Sequence, residues 1–145
     1  MSGFINFVSS YLFIAVFVAW ISSVFLKFVI KSFRGEINSF SSAFSNGGMP
    51  SSHSALVASL SAGIYMLEGL TPTFFISLVF AVIVMSDAVK VRKNLGEQGD
   101  TLNKLLLKLK QHPITIVHGH SSFQVLIGAM WGIFVSVGIF GLMFA

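Results

Sequence analysis

Four long runs of apolar residues dominate this chain and restrict it to one environment. Inside hydrocarbon no water is present to pair with backbone N–H and C=O groups, so each run must satisfy its own hydrogen bonds, as helices do. The first run, roughly Phe4 to Ile30, is long enough for a tilted span at about 1.5 Å rise per residue. The second, Ser51 to Leu67, is rich in Ser, Ala and Gly, a composition suited to close helix packing inside a bundle. After a short break at Glu68–Pro72, the third goes from Thr73 to about Val91, and the fourth from about Ser122 to Phe144. Hydrophobic residues make up 54% of the 145 and charged ones only 10%, where soluble domains are nearer one quarter charged. The absence of cysteine excludes disulfides, thiolate metal sites and a cysteine nucleophile. No basic stretch precedes the first run, and Lys27 and Lys31 lie at its far end, so a signal peptide is not expected.

Between the third and fourth runs, "GEQGDTLNKLLLKLKQHP" carries a different pattern. Asp100 suits an N-cap, and Leu102, Leu105, Leu106 and Leu109 repeat at helical spacing, with Lys104, Lys108 and Lys110 mostly on the other side. This predicts a short amphipathic helix, lying on the membrane surface or packed on the bundle's own loops. The expected fold is therefore all-α: one membrane-embedded domain over residues 1–145, with about four transmembrane helices and one interfacial helix.

Basic residues set the expected orientation. Lys27, Lys31 and Arg34 follow the first span, and Arg92, Lys93, Lys104, Lys108 and Lys110 follow the third, whereas the N-terminal stub, the Glu68 loop and the C-terminus carry none. Four spans put both basic loops on one side, the cytoplasmic side by the positive-inside rule, and both termini outside. The expected location is the cell's inner or plasma membrane.

Ionisable residues at span ends are costly and mark candidate sites. Lys27, His53, Asp87, Lys90, Arg92 and His120 all fall at span ends on the same expected face. Each basic one taken singly also reads as a snorkelling anchor. His53 lies in the first turn of a helix introduced by Pro50, where the N–H groups of Ser51, Ser52 and His53 and the helix dipole favour an anion. Gly47 and Gly48 would let the backbone approach a ligand, and His120 follows Gly119 at another helix start. Two imidazoles among converging cations suit phosphoryl transfer, in which one ring attacks phosphorus and the other protonates the leaving alkoxide. Asp87 is the only carboxylate inside a span, so neither a two-metal mechanism nor any cofactor is expected.

"NGGMPSSHSALV", "FAVIVMSDAVKVRKNLGEQGDTLN" and "GHSSFQVLIGAMWGI" resemble the small, divergent branch of the type 2 phosphatidic acid phosphatase superfamily, over about Lys27 to Ile133. Its wider pattern is K-x6-R-P, P-S-G-H and S-R-x5-H-x3-D. Lys27 and Arg34 match the first spacing, with Gly35 in place of the proline, and Pro50-Ser51-Ser52-His53 matches the second, with Ser52 for its glycine. The third is split: Arg92 ends the third span, and an insertion separates it from His120. The resemblance implies His120 as nucleophile, with nearby His118 as a competitor, and His53 as general acid. It implies Lys27, Arg34, Arg92, Ser51 and Ser52 as the phosphate holders. Gln124 stands where the motif has the Asp that orients the nucleophile, and Asp87 is a candidate to replace it or to pair with Lys27 or Arg92.

The implied activity is that of a lipid phosphatase acting on a phosphatidylglycerophosphate-like phospholipid. The alternatives are a polyprenyl pyrophosphate phosphatase, a haloperoxidase-like use of vanadate, and a catalytically weak lipid-binding protein. The expected partners are the lipid substrate and the bilayer, without nucleic acid. The small-residue face at Gly128, Gly132 and Ser136 is compatible with packing within the subunit or with a homo-oligomer.

Overall fold

The computed structural model describes residues 2–35, 48–116 and 119–144. Among these, five helices carry the architecture: α1 (Ser2–Phe33), α2 (Ser52–Glu68), α3 (Pro72–Ser86), α4 (Arg92–Lys108) and α5 (Ser122–Phe144). A single π-helical turn, Asp87–Val91, joins α3 to α4 without a break. Three described stretches are long and apolar enough to cross a membrane: Tyr11–Phe33, Pro72–Lys108 and Ser122–Leu142. The class is the expected all-α membrane bundle, but the count of spans is three rather than four. Helix α2 has only 17 residues and lies enclosed among α1, α3 and α5.

The core is built from small side chains at four-residue spacing. On α2 these are Ser51 at the cap, then Ala55, Ser59 and Gly63; on α5 they are Gly128, Gly132 and Ser136, and the large Phe140 ends the row. The two ridges meet in step. A Cβ on Gly128 would strike the Ser51 carbonyl oxygen, one on Gly132 the Ala55 carbonyl oxygen, and Phe140 covers Gly63. Between them the Ser59 and Ser136 hydroxyls lie 2.9 Å apart, and Ser136 Oγ donates to the Ser59 carbonyl at 2.8 Å. Both ridges ascend together, so α2 and α5 run parallel and begin at the same end of the bundle. Lipid tails are as apolar as leucine, and so close backbone approach and buried hydrogen bonds hold such helices, at about 0.6–2 kcal/mol per hydrogen bond. This assigns the α5 small-residue face to packing inside the subunit.

Helix α1 runs the opposite way and adds a third ridge, Ala15, Ala19, Ser23 and Lys27, all buried. Leu12 sits against Gly63 at one end, and Trp131 Nε1 donates to Ser22 Oγ at 2.9 Å farther along. Where the ridge's periodicity reaches the loop before α2 it carries a buried lysine instead of a small residue. That substitution in the pattern is what points Lys27 inward.

The amphipathic segment does not form a separate helix capped by Asp100. Asp100 lies inside α4, which continues the third span through the π turn. Gly96 and Gly99 lower helix propensity by about 1 kcal/mol each, which packing offsets here. Gly96 is buried, and Ile116 fills the space beside Gly99. The exposed Leu102 and Leu105 thus belong to a helix continuous with the third span, and Leu109 sits at its C-cap.

Beyond α4 the chain turns back along it. Asn103 grips the returning segment with two hydrogen bonds, Nδ2 to the Ile114 carbonyl at 2.9 Å and Oδ1 from the Ile114 N–H at 2.8 Å. Ile116 then meets Gly99, and Gly119 reaches the Arg92–Lys93 backbone. The excursion therefore ends beside its starting point, at the entrance to α5.

Candidate functional site

The parallel starts of α2 and α5, the end of α1 and the π turn all meet at one end of the bundle. Ser51 caps α2: its Oγ accepts from the Ser54 N–H at 3.4 Å and from Ser54 Oγ at 2.9 Å. The Ser51 N–H donates to the Gln124 carbonyl at 3.2 Å. It is therefore not available to an anion, contrary to the sequence expectation, because the two helix starts interlock. The N–H groups of Ser52 and His53 remain in the first turn. Ser52 is buried, and the His53 side chain is exposed.

Gly48, at φ +93, packs against the lysine stems of α1. A Cβ there would lie 2.9 Å from Lys31 Cε and 3.5 Å from Lys27 Cγ; the lysine end can shift, so it is the positive φ that favours glycine. Lys31, one turn beyond Lys27 on the same helix face, was not selected from the sequence. Its i+4 spacing from Lys27 is the signal that could have found it. Arg34, which was selected, is exposed in the turn that ends α1.

The π turn pairs Asp87 with Arg92. Its i to i+5 backbone bond, Arg92 N–H to the Asp87 carbonyl, brings residues five apart onto one face. Arg92 Nε then donates to Asp87 Oδ2 at 2.9 Å. Of the partners open to Asp87 at the sequence level, Arg92 is the one found.

His120 occupies the centre of this end. It is 1% exposed, and its backbone N–H donates to the Ala88 carbonyl at 3.2 Å, fixing the chain against the end of the third span. A Cβ on the preceding Gly119 would fall 2.5 Å from Lys93 N and 2.7 Å from the Arg92 carbonyl carbon. Among the described residues neither ring nitrogen of His120 has a hydrogen-bond partner. A neutral imidazole carries one donor and one acceptor, and leaving both unmet in a buried site is costly unless a ligand supplies partners.

Burial holds the His120 pKa down to about 4, assisted by Lys27, His53, Arg92 and Lys31. The imidazole is therefore neutral at physiological pH. Those four residues, drawn from three segments, act together on one ring, and Arg34 is not among them. The ordinary value is 6.5, so between about pH 6.5 and 4 the unfolded chain binds a proton at His120 that the folded chain refuses. Falling pH thus erodes stability across that window and stops doing so below about 4. The Tm of the wild type should drop more steeply over this range than that of His120→Asn in the same detergent. Parallel curves would contradict a buried neutral ring.

Gln124 does not orient this ring. Its Oε1 accepts from the Ser121 N–H at 3.0 Å, while Ser121 Oγ accepts from the Gln124 N–H at 3.3 Å. This reciprocal pair is a capping box for α5, formed because Ser121-x-x-Gln124 has its spacing. Among the described residues no group of three or more His, Asp or Glu side chains could hold a metal ion. Gly47 and His118 lie outside the described residues.

The amino-acid sequence matches known sequences over most of its length. A family model described as "Divergent PAP2 family" matches residues 8–135. The uncharacterized membrane protein YuiD of Bacillus subtilis (strain 168) is 38% identical over 111 residues, covering 64% of this chain and 70% of YuiD. No solved structure matches.

Proposed function

The chain belongs to the divergent PAP2 family, and on that premise we propose that it is a membrane-embedded, metal-independent lipid phosphatase. The observation that carries the proposal is His120: buried, neutral, with both ring nitrogens unpartnered among the described residues and cations from α1 and the start of α4 acting on it. A neutral imidazole is a nucleophile, and an anionic phosphate relieves the accumulation of positive charge. An imidazole nitrogen of His120 attacks phosphorus. The bond from phosphorus to the lipid oxygen breaks, and that oxygen leaves with the electron pair and takes a proton from His53. Water then attacks the phosphohistidine and gives a proton to His53; the P–N bond breaks, releasing inorganic phosphate and free His120. Lys27, Lys31, Arg92 and the first-turn N–H groups of Ser52 and His53 hold the phosphoryl oxygens. Asp87 keeps Arg92 in position through their ion pair.

The substrate of this reading is a phosphatidylglycerophosphate-like lipid, approached from the cytoplasmic face on which the basic loops converge. The test is phosphate release by the purified protein in detergent from phosphatidylglycerophosphate, phosphatidate and a polyprenyl pyrophosphate. Release from at least one of them is expected; silence on all three would remove the enzyme reading and leave a lipid-binding protein.

A change at Gly119 probes the placement of the nucleophile. Gly119→Ala must push His120 away from the Arg92–Lys93 backbone, and displacement by about 1 Å costs on the order of a hundredfold in rate. Turnover should fall by at least about tenfold, with helix content by circular dichroism unchanged. Full turnover in this variant would show that the tight crossing does not position the ring.

A further inference from the structure

His120 belongs to the lining of an open cavity of about 490 Å³ on the α4 side of α5. Besides His120, its polar lining comes from Lys93, Glu97, Ser121, Ser122 and Gln124. The volume equals the share of on the order of fifteen liquid waters, so a single phosphate held at His120 leaves most of it unfilled. Lys93 is the one cation among the described residues of the lining. Its backbone is also the one that Gly119 packs against, which ties the lysine's anchor point to the ring.

Lys93 Nζ lies 3.9 Å from Glu97 Oε1, and both side chains are about two-thirds exposed. Such a pair is held weakly, and a phosphate offers the ammonium a stronger, charge-assisted partner. The mobile four-carbon stem of lysine suits an anion whose distance from the scissile phosphorus varies between substrates.

Building on the phosphatase reading, we propose that this cavity is a second-phosphate subsite in which Lys93 binds a phosphate lying behind the scissile one. The substrate class is thereby narrowed to lipids with two phosphates, either a phosphodiester followed by a terminal monoester or a pyrophosphate. Phosphatidate, with one, leaves Lys93 on Glu97. Lys93 is in this account a specificity-determining residue and takes no part in bond making.

The experiment compares kcat/KM of the full-length protein for dioleoyl phosphatidylglycerophosphate and dioleoyl phosphatidate in one detergent, for wild type, Lys93→Ala and Lys93→Arg. The wild type is expected to prefer the two-phosphate lipid by about tenfold or more. Lys93→Ala should bring the ratio close to one by lowering only the two-phosphate rate, and Lys93→Arg should restore most of the preference. A wild type that turns over both lipids with a ratio unchanged by Lys93→Ala overturns the subsite and leaves the phosphatase reading standing. Absence of release from both lipids overturns the phosphatase reading, and the subsite with it.

Discussion

Gly132→Leu should leave almost no folded protein. The α2 and α5 backbones touch at this position, where even a Cβ would strike the Ala55 carbonyl oxygen. An overpacked core ordinarily costs about 1–3 kcal/mol, because side chains can shift. Here the obstacle is backbone on a central helix, so the two helices must separate, and the cost is expected to exceed that range. Separation also breaks the Ser59–Ser136 hydrogen bonds one turn along and exposes polar groups to hydrocarbon. Against a total stability of about 5–15 kcal/mol, a loss of this size empties the native state. Size-exclusion chromatography in detergent should show aggregate in place of a single peak. Gly138→Leu is the matched control, since a Cβ there meets nothing within 4 Å, and it should behave as wild type.

His120→Ala should remove at least about a thousandfold of the phosphatase activity while the protein still folds. Among the described residues the ring makes no side-chain hydrogen bond that its removal would break, and the backbone bond to Ala88 does not depend on it. His53→Ala should behave differently. A general acid matters most for a poor leaving group, so the loss should be large with a lipid alkoxide and small with p-nitrophenyl phosphate. Equal losses on both substrates would remove His53 from the role of acid.

The bundle was legible because its signals are local. Apolar runs mark the helices, and Gly128, Gly132 and Ser136 show their four-residue ridge in the sequence itself. That the ridge faces Ser51, Ala55 and Ser59 rather than another subunit is a register between distant segments, which no local pattern carries. The continuity of α3 and α4 was hidden for a related reason. "GEQG" reads as a break until Ile116 is seen filling the space beside Gly99. The clasp between Asn103 and Ile114 closes the same excursion, and it joins residues that share no periodic pattern.

The candidate site was legible as a set of residue types and less so as a set of partners. Lys27, His53, Arg92 and His120 do gather at one end. Gln124 was judged by its distance from His120, although its spacing from Ser121 already spelled a capping box. Lys31 is hard to pick out because a lysine at a helix end reads as an anchor, and only its contact with Gly48 shows where it leads. Lys93 was counted as loop charge until the return of the chain brought Gly119 against it.

The central claim is that His120 carries the phosphoryl group during turnover. It is tested most directly by mixing the purified protein with a lipid bearing a radiolabelled terminal phosphate and quenching in alkaline detergent, where phosphohistidine survives. The expected result is label on the peptide containing His120, lost on brief acid treatment and absent from His120→Ala. Turnover by the wild type with label on another residue, or undiminished turnover by His120→Ala, would contradict it.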